Sequence, residues 1–534
     1  MIQRNVVLRW LSVSASIFCA WTIAAAAHAD GNGSIVTTDR GPVQGVVNTT
    51  GRQFLGIPYA APPTGAQRWR APQTTASWQT TRSATQFGAN CPQGSSPFGL
   101  ASVNEDCLFL NVYTPTVGAL NGALRHDPVL VWIHGGAFRF GEASDYDPSM
   151  FVQRGLVVVT INYRLGALGF LAHPALTAES AAHASGNYGL MDQQEALRWV
   201  QRNISRFGGN PSNVTIAGES AGALSVHAQM VSKGGAGLFQ SAIAESGAYA
   251  LTEPTLATAE AQGTTLATAL GCSDAACLRA VPVATLLAAE NPGPAGYIPD
   301  IDGQVLTQSI GTAFASGAFN QVPVIEGSNH DEYRLFVALL ADLTASGPVT
   351  ATTYPALIAG ILSVPAQVVS LIMQQYPLTN YTSPDLALAA VGTDAIFACN
   401  TLAADTSLQK YVPTWAYEFN DPNAPQLFLP PVSFPYAAAH TSELQFLFKL
   451  RSNFPNPPAL TATEQQLSDT MVRYWSEFAR LANPNGPNTA NWVRYLPPVT
   501  QRIETLTPPT PQNSTDTAFA ADHKCAFWAS LAPH

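Results

Sequence analysis

The sequence predicts an α/β protein with a large, mostly parallel central sheet flanked by helices. Three features lead there. Continuous apolar runs of buried-strand length occur at Pro128-Val129-Leu130-Val131-Trp132-Ile133 and Leu156-Val157-Val158-Val159-Thr160-Ile161, and a strand that is apolar on both sides is one covered on both sides. Strand-like runs alternate with helical patterns, the order that parallel strands joined by crossover helices impose. No internal repeat or low-complexity linker divides the chain, so residues 30–534 are expected to form one domain.

In chain order, the run at 128–133 leads into His134-Gly135-Gly136-Ala137-Phe138, a glycine-rich turn after a buried strand. From about Leu190 to Phe207, the side chains of Leu197, Val200, Ile204 and Phe207 recur at three- and four-residue spacing, which predicts a helix with one apolar face. Gly208-Gly209-Asn210-Pro211 stops it. The β-branched run Val214-Thr215-Ile216 is the next strand, and Gly218-Glu219-Ser220-Ala221-Gly222 turns it into a helix-forming stretch. Pro323-Val324-Ile325-Glu326-Gly327 reads as another strand, ended by a glycine. The Ala-, Pro- and Thr-rich region from about Ser273 to Asn380 is less regular and is expected to lay helices over the sheet.

The chain has 534 residues, 46% hydrophobic and 9% aromatic, enough to bury a large core. Charged residues are only 11%, against about 25% in an average globular protein. A net charge of -10 excludes a nucleic-acid partner, since phosphate binding needs a basic face. The first residues carry an address. Arg4 and Arg9, an apolar stretch from about Trp10 to Ala26, and Ala27-His28-Ala29 describe a secretory signal peptide cleaved after Ala29. The expected location is therefore secreted or periplasmic. No other segment is expected to be long and apolar enough to span a membrane.

The Gly-x-Ser-x-Gly turn at Ser220 is the chemical centre of the sequence. A serine on a sharp strand-to-helix turn, with glycines on both sides to relieve crowding, presents its Oγ outward as a nucleophile. A serine hydroxyl is weak at neutral pH, so it needs a base, an acid to orient the base, and donors for the developing oxyanion. The backbone N–H groups of Gly136 and Ala137, with that of Ala221 after the nucleophile, are the expected donors. His134 is expected to brace the glycine loop. Histidines in the second half of the chain are His330, His440, His523 and His534. Small neighbours in Ala437-Ala438-Ala439-His440 would let that ring approach a pocket, whereas a disulfide at Cys525 would hold His523 elsewhere, and His534 ends the chain. The loop Ser328-Asn329-His330-Asp331-Glu332-Tyr333 after the strand at 323–327 offers the acid. Spacing alone does not separate Asp331 from Glu332. No metal or organic cofactor is called for.

Beyond Cys19 in the leader there are six cysteines: Cys91, Cys107, Cys272, Cys277, Cys399 and Cys525. An even number in an exported chain points to disulfides, with fifteen ways to pair them. Zinc is the competing use, but no C-x-x-C pair or histidine cluster accompanies them.

At this point the chain resembles the type-B carboxylesterase and lipase family, the cholinesterase-like branch of the α/β-hydrolases. The residues that carry the resemblance are Phe54-Leu55-Gly56-Ile57-Pro58-Tyr59-Ala60, Glu105-Asp106-Cys107-Leu108-Phe109-Leu110-Asn111-Val112-Tyr113, the His134-Gly135-Gly136 turn, Gly186-Asn187-Tyr188-Gly189-Leu190, Phe207-Gly208-Gly209-Asn210-Pro211 and the elbow itself. The resemblance implies an α/β-hydrolase fold and a serine esterase acting on small-molecule esters through an acyl-enzyme. It implies Ser220, Glu332 and His440 as the triad, and Cys91–Cys107, Cys272–Cys277 and Cys399–Cys525 as the disulfides. Ser246 resembles a buried serine that supports the triad, and Glu219 is given the same part. Two departures stand out. The Cys91–Cys107 loop has only Phe98 as an aromatic, where cholinesterases place a tryptophan for quaternary ammonium. Ala137 stands where many relatives have glycine. The alternatives to an esterase are a lipase acting at interfaces and a non-catalytic binding domain of the same fold.

Overall fold

The computed structural model describes residues 33–116, 126–290, 296–453, 456–487 and 489–531. The signal peptide with its cleavage point after Ala29, Cys19 and His534 lie outside the described residues.

An eleven-stranded sheet organises the chain. Its strands are β1 (Val46–Val47), β2 (Arg52–Pro58), β3 (Phe109–Thr114), β4 (Asp127–Ile133), β5 (Val157–Ile161), β6 (Gly209–Glu219), β7 (Ser241–Glu245), β8 (Val324–Asn329), β9 (Thr414–Phe419), β10 (Arg502–Leu506) and β11 (Gln512–Thr515). Across the sheet they lie in the order β11-β10-β9-β8-β7-β6-β4-β5-β3-β2-β1. From β10 to β5 every neighbouring pair is parallel, and antiparallel pairing is confined to the two margins. This is the mostly parallel sheet expected from the apolar runs.

Strand pleating explains why those runs are apolar throughout. Along β4, Val129, Val131 and Ile133 enter one core cluster, while Leu130 and Trp132 enter the cluster on the opposite face. Successive side chains point to opposite faces, so a central strand covered on both sides needs apolar residues at every position. The helix α1 (Tyr188–Asn203) continues into a 3-10 turn at Ile204–Phe207 and ends on Gly208 at φ 97°, close to the expected span. The helix α2 (Ala221–Val231) starts directly at the elbow.

The region from Ser273 to Asn380 is largely helical as expected, with β8 running through it. The helices α3 (Arg334–Val337), α4 (Tyr354–Leu362), α5 (Ala366–Gln375) and α6 (Pro384–Gly392) share a third core cluster of their own. One expectation needs correcting here. The helical run Pro384–Leu408 is long and apolar enough to cross a membrane. It carries Asp385, Asp394 and Asp405 buried inside the protein, and Val391 and Ala404 belong to core clusters. Later come α7 (Ala462–Leu481), which packs Leu467, Met471, Trp475 and Phe478 against the β4–β6 side of the sheet, and α8 (Asp516–Asp522).

The six cysteines pair as Cys91–Cys107, Cys272–Cys277 and Cys399–Cys525, with Cα–Cα separations of 4.9, 5.4 and 5.2 Å.

Candidate active site

The chemistry-bearing residues gather at the carboxyl ends of the parallel strands, where open α/β sheets place their ligand crevices. The glycine turn follows β4, Ser220 follows β6, and Glu332 follows β8 by three residues.

Ser220 adopts φ 56° and ψ -123° between β6 and α2. Non-glycine residues are rarely found at positive φ, and a strained nucleophile held by its surroundings is the purpose of such a turn. Its backbone N–H donates to Glu245 O at 2.8 Å, which pins the elbow to β7. The flanking glycines are required by contact. A Cβ on Gly222 would sit 2.0 Å from Ile133 O, and one on Gly218 would sit 2.5 Å from the Gly222 carbonyl carbon.

The glycine loop reaches Ser220 itself, since a Cβ on Gly135 would lie 3.1 Å from Ser220 Cβ. Gly136, Ala137 and Phe138 all have positive φ, at 100°, 56° and 56°. Ala221 opens α2, where a helix leaves its first N–H groups without intrahelical acceptors. His134 braces the loop as expected. Its ring stacks on Tyr163 at 4.5 Å between centroids, and Tyr163 Oη donates to His134 O at 2.8 Å. Burial pushes the His134 imidazole down to about 4, so it stays neutral.

His440 Nδ1 lies 2.5 Å from Glu332 Oε2, and both residues are buried. Glu332 Oε1 accepts the Asn329 N–H at 2.8 Å, which fixes the carboxylate. The ambiguity between Asp331 and Glu332 resolves in space: Asp331 Oδ1 pairs with Arg334 at 2.6 Å instead. On its other side, His440 Nε2 is 3.1 Å from Glu219 Oε1. Burial works against the imidazolium, but Glu219 and then Glu332 outweigh it and raise His440 to about 9. Glu219 is itself raised, first by burial and then by the neighbouring Glu443 and Glu332, against the pull of His440.

Several contributors were not singled out from sequence. Phe336 and Phe397, stacked on each other, both pack against the His440 ring, at 5.1 and 5.2 Å. Glu443 accepts from Asn329 Nδ2, and Trp475 Nε1 donates to Glu245 Oε1 at 2.8 Å, so two more buried carboxyls stand behind the triad residues. Glu443 is only three residues from His440, so its nearness is local in the sequence. The aromatic pair left no signal, because Phe397 is remote in the chain. Ser246 is buried at φ 58° with its N–H on Gly327 O at 2.8 Å, and its Oγ has no hydrogen-bond partner among the described residues. Ser246 Oγ thus makes no hydrogen bond to His440 among the described residues. His523 lies elsewhere, bonded to Asp394 and Glu418.

Ser220, His440, Glu219 and the glycine loop line one cavity of about 180 Å³. Its remaining wall is mainly apolar, with Phe98, Phe140, Phe336, Leu339, Phe428 and Leu444. Among the described residues, no lysine or arginine lines it.

A profile of the Carboxylesterase family matches residues 32–528. The chain is 35% identical to the human (Homo sapiens) cocaine esterase over 538 aligned positions, covering 94% of this chain and 92% of the relative. It is 34% identical to the para-nitrobenzyl esterase of Bacillus subtilis (strain 168), over 86% of this chain and 92% of the relative. With the fumonisin B1 esterase of Sphingopyxis macrogoltabida it shares 34% identity over 89% of this chain and 88% of that one. Among solved structures, a PNB esterase superposes with a TM-score of 0.75 at 32% identity, covering 92% of this chain and 99% of the other.

Proposed function

The chain belongs to the carboxylesterase family and is a carboxylic ester hydrolase, and on that premise we propose that it is an exported serine esterase whose acyl-enzyme forms on Ser220. The observation that carries this reading is the meeting of Ser220 and His440 in one mainly apolar cavity beside the glycine loop, with Glu332 buried behind His440 on its Nδ1 side.

Ser220 Oγ attacks the ester carbonyl carbon while His440 Nε2 takes its proton, and Glu332 holds the Nδ1–H tautomer. The carbonyl oxygen, now an anion, is met by the N–H groups of Gly136, Ala137 and Ala221. Collapse breaks the ester C–O bond, and His440 returns its proton to the departing alcohol. Water then gives its proton to His440, attacks the acyl carbon, and frees the acid and Ser220 by the same route. Every step uses side chains and backbone of this chain alone.

The cavity size supports short and medium acyl groups. Sites for drug-sized ligands run from about 300 to 1,000 Å³, and this one holds about 180 Å³. That favours a carboxylesterase over an interfacial lipase. Three disulfides support an oxidising destination, in line with the leader at residues 1–29.

Hydrolysis of p-nitrophenyl esters from acetyl to palmitoyl, by wild type and Ser220→Ala, tests this. Turnover is expected to peak at short acyl chains and to vanish in the variant. A long-chain optimum that rises once substrate exceeds its solubility would move the assignment to a lipase. A folded wild type inert on every ester would make it a binding domain.

A further inference from the structure

The C-terminal segment, the tip of β9 and the loop that bears Glu332 meet in a second polar cluster, outside the cavity around Ser220. It contains His330, Glu418 and His523, and each offers one ligand atom within 4.8 Å of the others. His330 is the first residue past β8, Glu418 lies in β9, and His523 caps α8.

The bonding of His523 is the telling detail. Its Nδ1 lies 2.7 Å from Asp394 Oδ1, and Asp394 Oδ2 in turn accepts Tyr376 Oη–H at 2.7 Å. Its Nε2 lies 2.8 Å from Glu418 Oε1. The 2.8 Å between His523 Nε2 and Glu418 Oε1 is bridged by a proton when no metal is bound, and that proton is what an entering ion displaces. An imidazole oriented by an outer carboxylate, with its other nitrogen directed at a second ligand, is the arrangement found around protein-bound metals. Nitrogen and oxygen donors together suit zinc and its first-row neighbours.

His330 completes the set. Its ring centroid is 5.4 Å from that of His523, and it is flanked by Asp331 at 3.3 Å and Asp522 at 3.2 Å. Four carboxylates therefore face the two imidazoles: Glu418, Asp394, Asp331 and Asp522. The nearby cations are Arg334 on Asp331 and Lys524 next to Asp522. Protons on the two imidazoles balance these charges, and one dication that displaces both keeps the balance. Ligands about 2.0–2.1 Å from a shared ion stand about 2.9–3.4 Å from each other. The His523–Glu418 pair needs only a small widening, and the His330 ring must swing inward. His330 is half-buried and Asp522 is exposed, so an ion has a way in from solvent, while His523 and Glu418 are buried.

We propose that His330, Glu418 and His523 bind a divalent transition-metal ion of the zinc class, clamping the loop that carries Glu332 to the C-terminal segment. The clamp acts on the same segment as the Cys399–Cys525 disulfide. It is independent of the esterase assignment, because binding is read without substrate.

The test uses the purified full chain, stripped with EDTA and returned to metal-free buffer. Zn²⁺ titrated by calorimetry, with elemental analysis of the dialysed product, is expected to give one ion per chain and a higher Tm. His330→Gln and Glu418→Gln are each expected to weaken Zn²⁺ binding at least 10-fold. His330→Gln, at the half-exposed position, decides the matter if Glu418→Gln does not fold, provided its Tm in EDTA matches wild type. A stripped wild type that takes up no Zn²⁺ would overturn the proposal and leave a proton between His523 and Glu418. Zn²⁺ affinity unchanged in the folded variants would overturn it too, placing the ion on other residues.

Discussion

Glu219 Oε1 stands 3.1 Å from His440 Nε2, the nitrogen that exchanges a proton with Ser220 in the proposed mechanism. The residue next to the nucleophile thus supplies a carboxyl on the reactive side of the base, while Glu332 supplies one on the other side. Each carboxylate favours the imidazolium, and the low dielectric of the buried site strengthens both attractions.

Replacing Glu219 by Gln removes the nearer negative charge. A base must be neutral to act, so activity rises as pH rises through the pKa of His440. With that pKa raised to about 9 in the wild type, the variant's acid limb of kcat/KM is expected to move to lower pH. The pH profile on p-nitrophenyl acetate checks this. An unmoved limb would mean that Glu219 does not feel the proton on His440.

Glu332→Gln keeps the shape of the side chain but cannot hold the Nδ1–H tautomer or stabilise an imidazolium. Loss of the orienting carboxylate in such a triad lowers kcat by about 10⁴-fold. Asp331→Asn, whose wild-type carboxylate pairs with Arg334, is expected to change kcat by far less. Comparing kcat for the two variants separates neighbours that the sequence left equivalent.

Ala137 holds φ 56° in the glycine loop. The left-handed conformation costs an L-residue about 1–2 kcal/mol relative to glycine. Ala137→Gly is expected to raise unfolding stability by up to about 1 kcal/mol, the smaller part of that strain, after the extra chain entropy of glycine is subtracted. Its N–H remains, so kcat on p-nitrophenyl acetate stays near wild type. Chemical denaturation and steady-state kinetics on one preparation read both.

The Cys399–Cys525 bond closes a loop of 126 residues. Chain entropy gives such a closure about 5 kcal/mol. Cys399→Ser with Cys525→Ser is expected to lower the Tm markedly, and far more than the corresponding pair at Cys272 and Cys277, which spans 5 residues. Thermal unfolding of the two double variants makes the comparison.

What the sequence exposed and what it hid follow from range. The elbow, the glycine loop and the β4 and β5 runs are local: strand pleating and turn sterics write them into consecutive residues. The helices α4 and α5 are harder to read. Tyr354–Leu362 and Ala366–Gln375 sit in a stretch from Leu343 to Pro384 without one charged residue, so no polar face marks their period. Phe397 beside His440, and Asp394 and Glu418 beside His523, are joined only by folding. Asp331 and Glu332 are adjacent in sequence yet face different partners, a distinction that only the path of the loop decides.

Among the described residues no lysine or arginine stands on the wall of the cavity around Ser220, and it presents Glu219 and Asp145 to whatever it holds. An ester enters as a neutral molecule and leaves as a carboxylate. The acid half of the product therefore meets a mainly apolar wall with no lysine or arginine to pair with it. Hydrolysis turns a fitting guest into an ill-fitting one, so turnover is driven outward by the same surface that draws substrate in, and accumulated acid competes weakly for the site.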